Sequence, residues 1–150
     1  MLKVKIKLDA GAKIPVKGEP NAMCFDCFAH SIKTNEFGKV EVDLGFSATP
    51  PDGYGIRLMP RSGITKFWWS LNNSVGIIDP DFKANHKAIF TPIPKPSGDY
   101  GEFINPNFPF NVGDRVCQME IYEKIDFEFE QVDTLPGNDR GGGFGSTGIN

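Results

Sequence analysis

Leu2-Lys3-Val4-Lys5-Ile6-Lys7-Leu8 alternates apolar and basic residues without a break. A period of two puts Leu2, Val4, Ile6 and Leu8 on one face and the lysines on the other, which predicts a strand with one face on a core and one in water. Val40-Glu41-Val42-Asp43-Leu44 repeats the pattern, as do Val116 to Tyr122 and Phe127-Glu128-Phe129-Glu130. Turn-forming clusters separate such runs, among them Thr49-Pro50-Pro51-Asp52-Gly53 and Pro136-Gly137-Asn138-Asp139. No segment carries a long helical period. Arg61 to Leu71 has room for one short helix with Ser62 as its cap, although Phe67-Trp68-Trp69 fits a strand better. Thr91 to Pro109, crowded with Pro, Gly and Asn, reads as a long loop or a loose insertion with room for one short strand inside it. The sum is an all-β protein of many short strands, hence a sandwich, jelly roll or barrel.

At 150 residues and 39% apolar content the chain suits one well-buried core and is short for two. The expected organisation is a single β-rich domain over residues 1–136 and a flexible glycine-rich arm over 137–150. A net charge of −3 argues against a nucleic-acid polymer as partner, because such binders present a basic face. A free nucleotide needs only a few cations. The N-terminal run lacks the continuous apolar centre of a signal peptide, and no stretch approaches a membrane span, so a cytoplasmic protein with no membrane partner is expected. Three cysteines make no disulfide framework. Cys24 and Cys27 have a spacing used in redox and zinc sites, yet Phe25 and Phe28 suggest a strand, and Cys117, His30 and His86 are scattered. Small buried apolar residues is the better reading of these cysteines.

Chemistry concentrates in five segments. Arg140-Gly141-Gly142-Gly143-Phe144-Gly145-Ser146-Thr147-Gly148 combines backbone N–H groups that approach an anion closely, an arginine for a phosphate, two hydroxyls and an aromatic face for a base. A plain spacer would need none of the interleaved side chains. Met59-Pro60-Arg61-Ser62-Gly63 sets a cation, a hydroxyl and a glycine at a strand end, which suits further phosphates and also occurs in ordinary turns. Asn72 to Phe82 reads as hairpin-like, with Asp79 able to orient and deprotonate a water or simply to cap its proline bend. In Gly113-Asp114-Arg115-Val116-Cys117-Gln118, the amide of Gln118 interrupts an apolar run and can hold a phosphate oxygen, a water or a backbone group. Asp26 sits in the otherwise apolar Ala22 to Ala29 and should therefore meet an arginine or a hydrated metal.

Taken in order, these segments resemble the five motifs of the trimeric dUTP pyrophosphatases (dUTPases), from Ala22 to Gly148. Pro-Arg-Ser-Gly, Gly-Ile-Ile-Asp-x-Asp-Phe, Gly-Asp-Arg-Val-x-Gln and the glycine-rich tail, in that sequence and spacing, are specific to that family. The resemblance implies a distorted jelly-roll (β-clip) fold and a homotrimer whose swapped C-terminal arm closes a neighbour's site. It implies hydrolysis of dUTP to dUMP and pyrophosphate by attack of water on the α-phosphorus. Asp79 matches the water-activating carboxylate. Asn73, Gly76, Ile77 and Ile78 match the uracil pocket, whose backbone groups imitate a pairing partner. Phe82 stands where the family usually has a tyrosine that packs on the deoxyribose. Arg61, Ser62, Gly63 and Gln118 match the groups on the α- and β-phosphates, with Gln118 also placed to order the water. Arg140, Phe144, Gly145, Ser146 and Thr147 match the closing tail. Mg²⁺ is implied as cofactor, held by the phosphates and water, with Asp26 the protein's candidate for its hydration shell.

Departures from the family pattern are a tail one residue shorter between Arg140 and Phe144, Cys24 and Ala84 in places usually held by glycine, and the long Thr91 to Pro109 segment. They suit a divergent lineage such as a phage, in which case the compartment is the host cytosol. Two rivals remain. A dCTP deaminase shares the fold but needs a glutamate near the base, and a non-catalytic trimer would bind dUTP and act through a protein partner.

Overall fold

The computed structural model describes residues 2–96, 103–138 and 141. Among them the chain forms twelve strands and one 3-10 turn. One sheet has the spatial order β2 (Phe25–Phe28), β12 (Arg115–Glu123), β6 (Tyr54–Pro60), β8 (Gly76–Ile78). The other runs β3 (Ser31–Thr34), β4 (Val40–Asp43), β9 (Lys87–Pro92), β7 (Trp69–Leu71). A ribbon of β1 (Lys5–Leu8) and β5 (Phe46–Thr49) and a small hairpin of β10 (Lys95–Pro96) and β11 (Phe103–Ile104) complete the architecture, and every pairing is antiparallel. This is the expected all-β jelly roll, whose strands switch repeatedly between sheets.

A single apolar cluster joins the two sheets. Ile56, Leu58, Ile78, Val116 and Met119 enter from one side, and Val40, Val42, Leu71, Ala88 and Phe90 from the other, with Leu44 and Phe46 at the chain's crossing to β5. Each of these side chains larger than alanine contributes about 1.5–3 kcal/mol by leaving water. In β4 the alternation is obeyed, with Val40 and Val42 buried between half-buried Glu41 and Asp43. The crossing turns on Gly45, whose φ is +70° and where an added Cβ would lie 2.6 Å from the His30 ring and 2.7 Å from Ala12.

The N-terminal strand is shorter than its alternation. Val4 and Ile6 pack on the core, Ile6 opposite Ala48, while Leu2, ahead of the strand, and Leu8, its last residue opposite Phe46, stay exposed. Cys27 and Cys117 are fully buried neighbours across β2 and β12, Cys24 is half-buried, and all three are free thiols.

Four expectations need correction. Phe127 to Glu130 forms no strand, and Phe127 and Phe129, which touch each other edge-on at 5.2 Å, are 74% and 93% exposed because no strand lies beside them among the described residues. Ser62 is not a cap; it opens the 3-10 turn Ser62–Lys66, and Arg61 occupies the capping position without a side-chain bond to the turn. Of Phe67-Trp68-Trp69 only Trp69 enters a strand and the core. The Thr91 to Pro109 segment contributes the end of β9 and both strands of the small hairpin, and it is stitched down where the Trp69 indole donates to the Asn107 carbonyl at 3.0 Å and Phe108 meets Trp69 edge-on at 5.0 Å.

Candidate active site

Asn72 to Phe82 is not a hairpin but a crossing between sheets: β7 ends in one and β8 begins in the other. The Asn73 side chain makes the crossing possible. Its Nδ2 donates to the Lys87 carbonyl at 2.8 Å and its Oδ1 accepts from the Ile89 N–H at 2.9 Å, so an amide replaces the strand partner that β9 loses there. The next residues enclose a cavity of about 570 Å³ lined by Asn73, Gly76, Ile77, Ile78, Asp79 and Phe82, with Leu58 and His86 among its walls. β8 is the last strand of its sheet, so one of its edges carries N–H and C=O groups with no strand partner among the described residues, free to read the rim of a planar heterocycle. Gly76 is required, since a Cβ there would stand 2.9 Å from the Asn73 carbonyl oxygen.

Asp79 stands exposed in this cavity wall. Its bend is closed by the Phe82 N–H donating to the Asp79 carbonyl at 3.1 Å and by Lys83 Nζ donating to the Pro80 carbonyl. The carboxylate makes no hydrogen bond or ion pair among the described residues, so the alternative of a turn-capping aspartate does not describe it. Phe82 leaves 45% of its surface to solvent and lies over the His86 ring at 6.1 Å and 23°.

A second cluster forms where β2, β12 and the end of β6 lie side by side, Gln118 being opposite Asp26 on one flank and Met59 on the other. Buried Asp26 accepts from Arg61 Nε at 2.6 Å and from Arg115 Nη1 at 3.0 Å. Arg61 Nη1 also reaches the Arg115 carbonyl at 3.3 Å. The burial cost of the carboxylate is thereby met by two cations, as an acid within an apolar strand demands. Two guanidiniums against one carboxylate leave the cluster a net positive charge, apt for phosphate. Asp26 thereby positions both cations, and its carboxylate retains lone pairs for further hydrogen bonds. Gln118 Nε2 donates to the Pro60 carbonyl at 3.0 Å, a backbone bond that leaves its Oε1 to accept. Ser62 is exposed, and the space beside Gly63 is open.

The two clusters are apart. Arg61, Ser62, Gly63 and Gln118 do not line the cavity. Asp79 follows Ile78, which pairs with Ile56, and Arg61 lies five positions on, just past the end of β6, a separation of roughly 17 Å at strand rise. Sequence reasoning missed Arg115 and His86. Arg115 was visible inside the Gly-Asp-Arg-Val run, but only the fold shows that it shares Asp26 with Arg61; His86 looked like a scattered metal ligand, and among the described residues no metal-binding cluster forms. Arg140, Phe144, Gly145, Ser146 and Thr147 lie outside the described residues.

A jelly roll with an open strand edge over a nucleoside-sized cavity and a separate cationic phosphate cluster is the construction of a nucleotide-binding protein. No family model matches the chain. A deoxyuridine 5'-triphosphate nucleotidohydrolase of Yarrowia lipolytica is 34% identical over 148 residues, covering 95% of this chain and 87% of that protein. Among solved structures, the dUTPase of Staphylococcus bacteriophage 80alpha with dUpNHpp superposes with a TM-score of 0.75 over 98% of this chain and 99% of its own at 19% identity. The dUTPase of Staphylococcus aureus phage phi11, described with a structural Mg(II) ion, gives 0.70 over 90% and 99%, also at 19% identity. The chain belongs to the deoxyuridine 5'-triphosphate nucleotidohydrolase (dUTPase) family.

Proposed function

We propose that the chain hydrolyses dUTP to dUMP and pyrophosphate in sites that three copies complete together, keeping uracil out of DNA precursors. The observation that carries the assembly is the separation of Asp79 from Arg61 and Gln118: one chain holds both halves of a site and closes neither. The β8 edge of one copy reads uracil through backbone donors and acceptors, Gly76 and the cavity walls exclude a 5-methyl group, and Phe82 packs on the deoxyribose. Arg61, Ser62 and Gln118 of a neighbour bind the α- and β-phosphates, with Arg61 oriented by Asp26. Residues 137–150 form the arm, in which Arg140, Ser146 and Thr147 bind the γ-phosphate and Phe144 and Gly145 cover the base.

Asp79 takes a proton from water as its oxygen attacks the α-phosphorus, and the bond to the bridging oxygen breaks with pyrophosphate leaving. Mg²⁺ would be held by oxygens of the triphosphate and by water, with Asp26 the candidate for its hydration shell, and would neutralise charge developing on the phosphates. A free-nucleotide substrate suits a cytoplasmic protein, and no helix among the described residues is long and apolar enough to cross a membrane. No glutamate lines the cavity, which weighs against deamination of dCTP.

The exchange of arms has its own support. Among the described residues β1 has a partner on one edge only, and its lysines alternate with apolar residues. Ile125-Asp126-Phe127-Glu128-Phe129-Glu130 alternates apolar residues with acids and is exposed throughout. The two runs are complementary in charge and period, so this segment of one copy adds as a strand to β1 of the next.

Pyrophosphate release from dUTP with Mg²⁺, beside dCTP, dTTP and UTP, tests the function. Selective dUTP turnover that falls by at least about a hundredfold in Asp79→Asn, with affinity for a non-hydrolysable analogue kept, is expected. Tight dUTP binding without turnover in the unaltered trimer would establish a binding protein instead.

A further inference from the structure

We propose that His86 is a positioning residue for the nucleoside: anchored to β5, its ring is the bed on which Phe82 lies, and it thereby sets how closely the aromatic wall approaches the sugar. The inference rests on the cavity being the nucleoside site. Phe82 alone has little to fix it, being almost half exposed and followed by the exposed Lys83 and Ala84. His86 is the opposite, 1% exposed and held from several directions. Its N–H donates to the Phe46 carbonyl at 2.8 Å, its carbonyl accepts from Leu44 at 3.0 Å, and its ring Nε2 accepts from the Ala48 N–H at 3.1 Å. The imidazole thus continues the hydrogen bonding of β5 one step past the point where the backbone departs. That bond fixes the ring plane, and Phe46 braces it edge-on at 5.1 Å and 77°. Phe82 stacks, offset, on this braced ring, so the sugar-facing wall inherits its position from β5.

The choice of histidine is costly. With Nε2 accepting, the proton sits on Nδ1, and Nδ1 is buried with no hydrogen-bond partner. An orphaned donor costs about 1–3 kcal/mol, which an aliphatic side chain would avoid. Burial lowers the imidazole pKa from 6.5 to about 4, so the ring is neutral and Nε2 remains an acceptor near neutral pH. What the cost secures is a planar, hydrogen-bonded support of fixed orientation beneath Phe82, which leucine cannot supply.

The test compares the preference for dUTP over UTP, as a ratio of kcat/KM, in the full-length protein and in His86→Leu, Phe82→Leu and the double variant. His86→Leu should lower the ratio roughly tenfold, chiefly through KM with kcat for dUTP within about threefold, and the double variant should lose no more than Phe82→Leu alone. A ratio unchanged in an active His86→Leu, or losses that add in the double variant, would overturn the role of His86. Absence of dUTP hydrolysis in the unaltered protein would instead overturn the reading of the site. Should His86→Leu not fold, the unaltered chain still decides: it has two histidines, and His30→Gln assigns their imidazole ¹⁵N signals. The His86 signals should shift on saturation with α,β-imido-dUTP, and unmoved signals would overturn the proposal.

Discussion

Asp26 and Arg61, thirty-five positions apart in sequence, meet carboxylate to guanidinium at 2.6 Å, and the same carboxylate holds Arg115 at 3.0 Å. A buried acid is therefore the organiser of the cationic cluster. Its charge orients both arginines, and Arg61 also bonds the backbone carbonyl of Arg115.

Asp26→Asn keeps the shape and removes the charge that aligns both guanidiniums. Stability should fall by about 2 kcal/mol, less than for a fully dry pair because both arginines are partly exposed. Binding of α,β-imido-dUTP should weaken at least tenfold and that of deoxyuridine, which has no phosphates, hardly at all. Urea unfolding and calorimetric titration of both ligands check this, and equal weakening of both would refute the assignment of this cluster to phosphate.

Gly76→Ala inserts a methyl 2.9 Å from the Asn73 carbonyl oxygen and 3.3 Å from the Leu58 Cβ. Because Asn73 is bonded through both ends of its amide to β9, it cannot easily retreat. The crossing should therefore shift into the cavity, raising KM for dUTP by more than about tenfold while the protein still folds. Steady-state kinetics with thermal unfolding on the same sample checks this, and an unchanged KM would remove β8 from base recognition.

Acid should weaken the fold before carboxylates titrate. His86 has a folded pKa of about 4 against an ordinary 6.5, so the unfolded chain binds the extra proton; the contribution is complete above 6.5 and lost as pH falls toward 4, at most about 3 kcal/mol. Glu41, held low by hydrogen bonds from Lys87 and Lys33, loses its own contribution only below its ordinary 4.5. Urea midpoints between pH 7 and 4.5 should fall in the unaltered protein and fall less in His86→Leu. Parallel curves for the two would show that the loss comes from elsewhere.

How much of this was legible in the sequence follows from what a residue pattern can encode. The alternation of Val40 to Leu44 predicts its burial because β3 and β9 flank it in the same chain. Phe127 to Glu130 has the same alternation and no such neighbour among the described residues, since a period of two tells which face is apolar and not whether a partner strand exists. Asp26 announced that it needed a cation, but that two arginines share it, one from each side, emerges only when β2, β12 and the end of β6 lie side by side. His86 carried no local signal at all, because its role comes from the ring of a residue four positions earlier and the backbone of a strand thirty-eight positions away.

The exposed acidic-apolar segment offers the sharpest test of the assembly. Among the described residues Lys5 and Lys7 make no ion pair, and neither do Glu128 and Glu130, while Asp126 is taken by Lys124 at 2.6 Å in its own chain. Replacing Lys3, Lys5 and Lys7 by Glu reverses the β1 face whatever the register, and replacing Asp126, Glu128 and Glu130 by Lys does the same for the segment. Either set alone brings like charges together along a strand pair and should shift the protein from trimer toward monomer at micromolar concentration, with loss of dUTPase activity because no site is complete. Both sets together should restore trimer and activity, since the charges are exchanged and the apolar contacts of Ile125, Phe127 and Phe129 are untouched. Sedimentation equilibrium beside turnover reads both properties on one sample. Monomers in the combined variant, or trimers in all three, would mean that the segment does not pair with β1, and the complementarity of the two runs would then have no part in assembly.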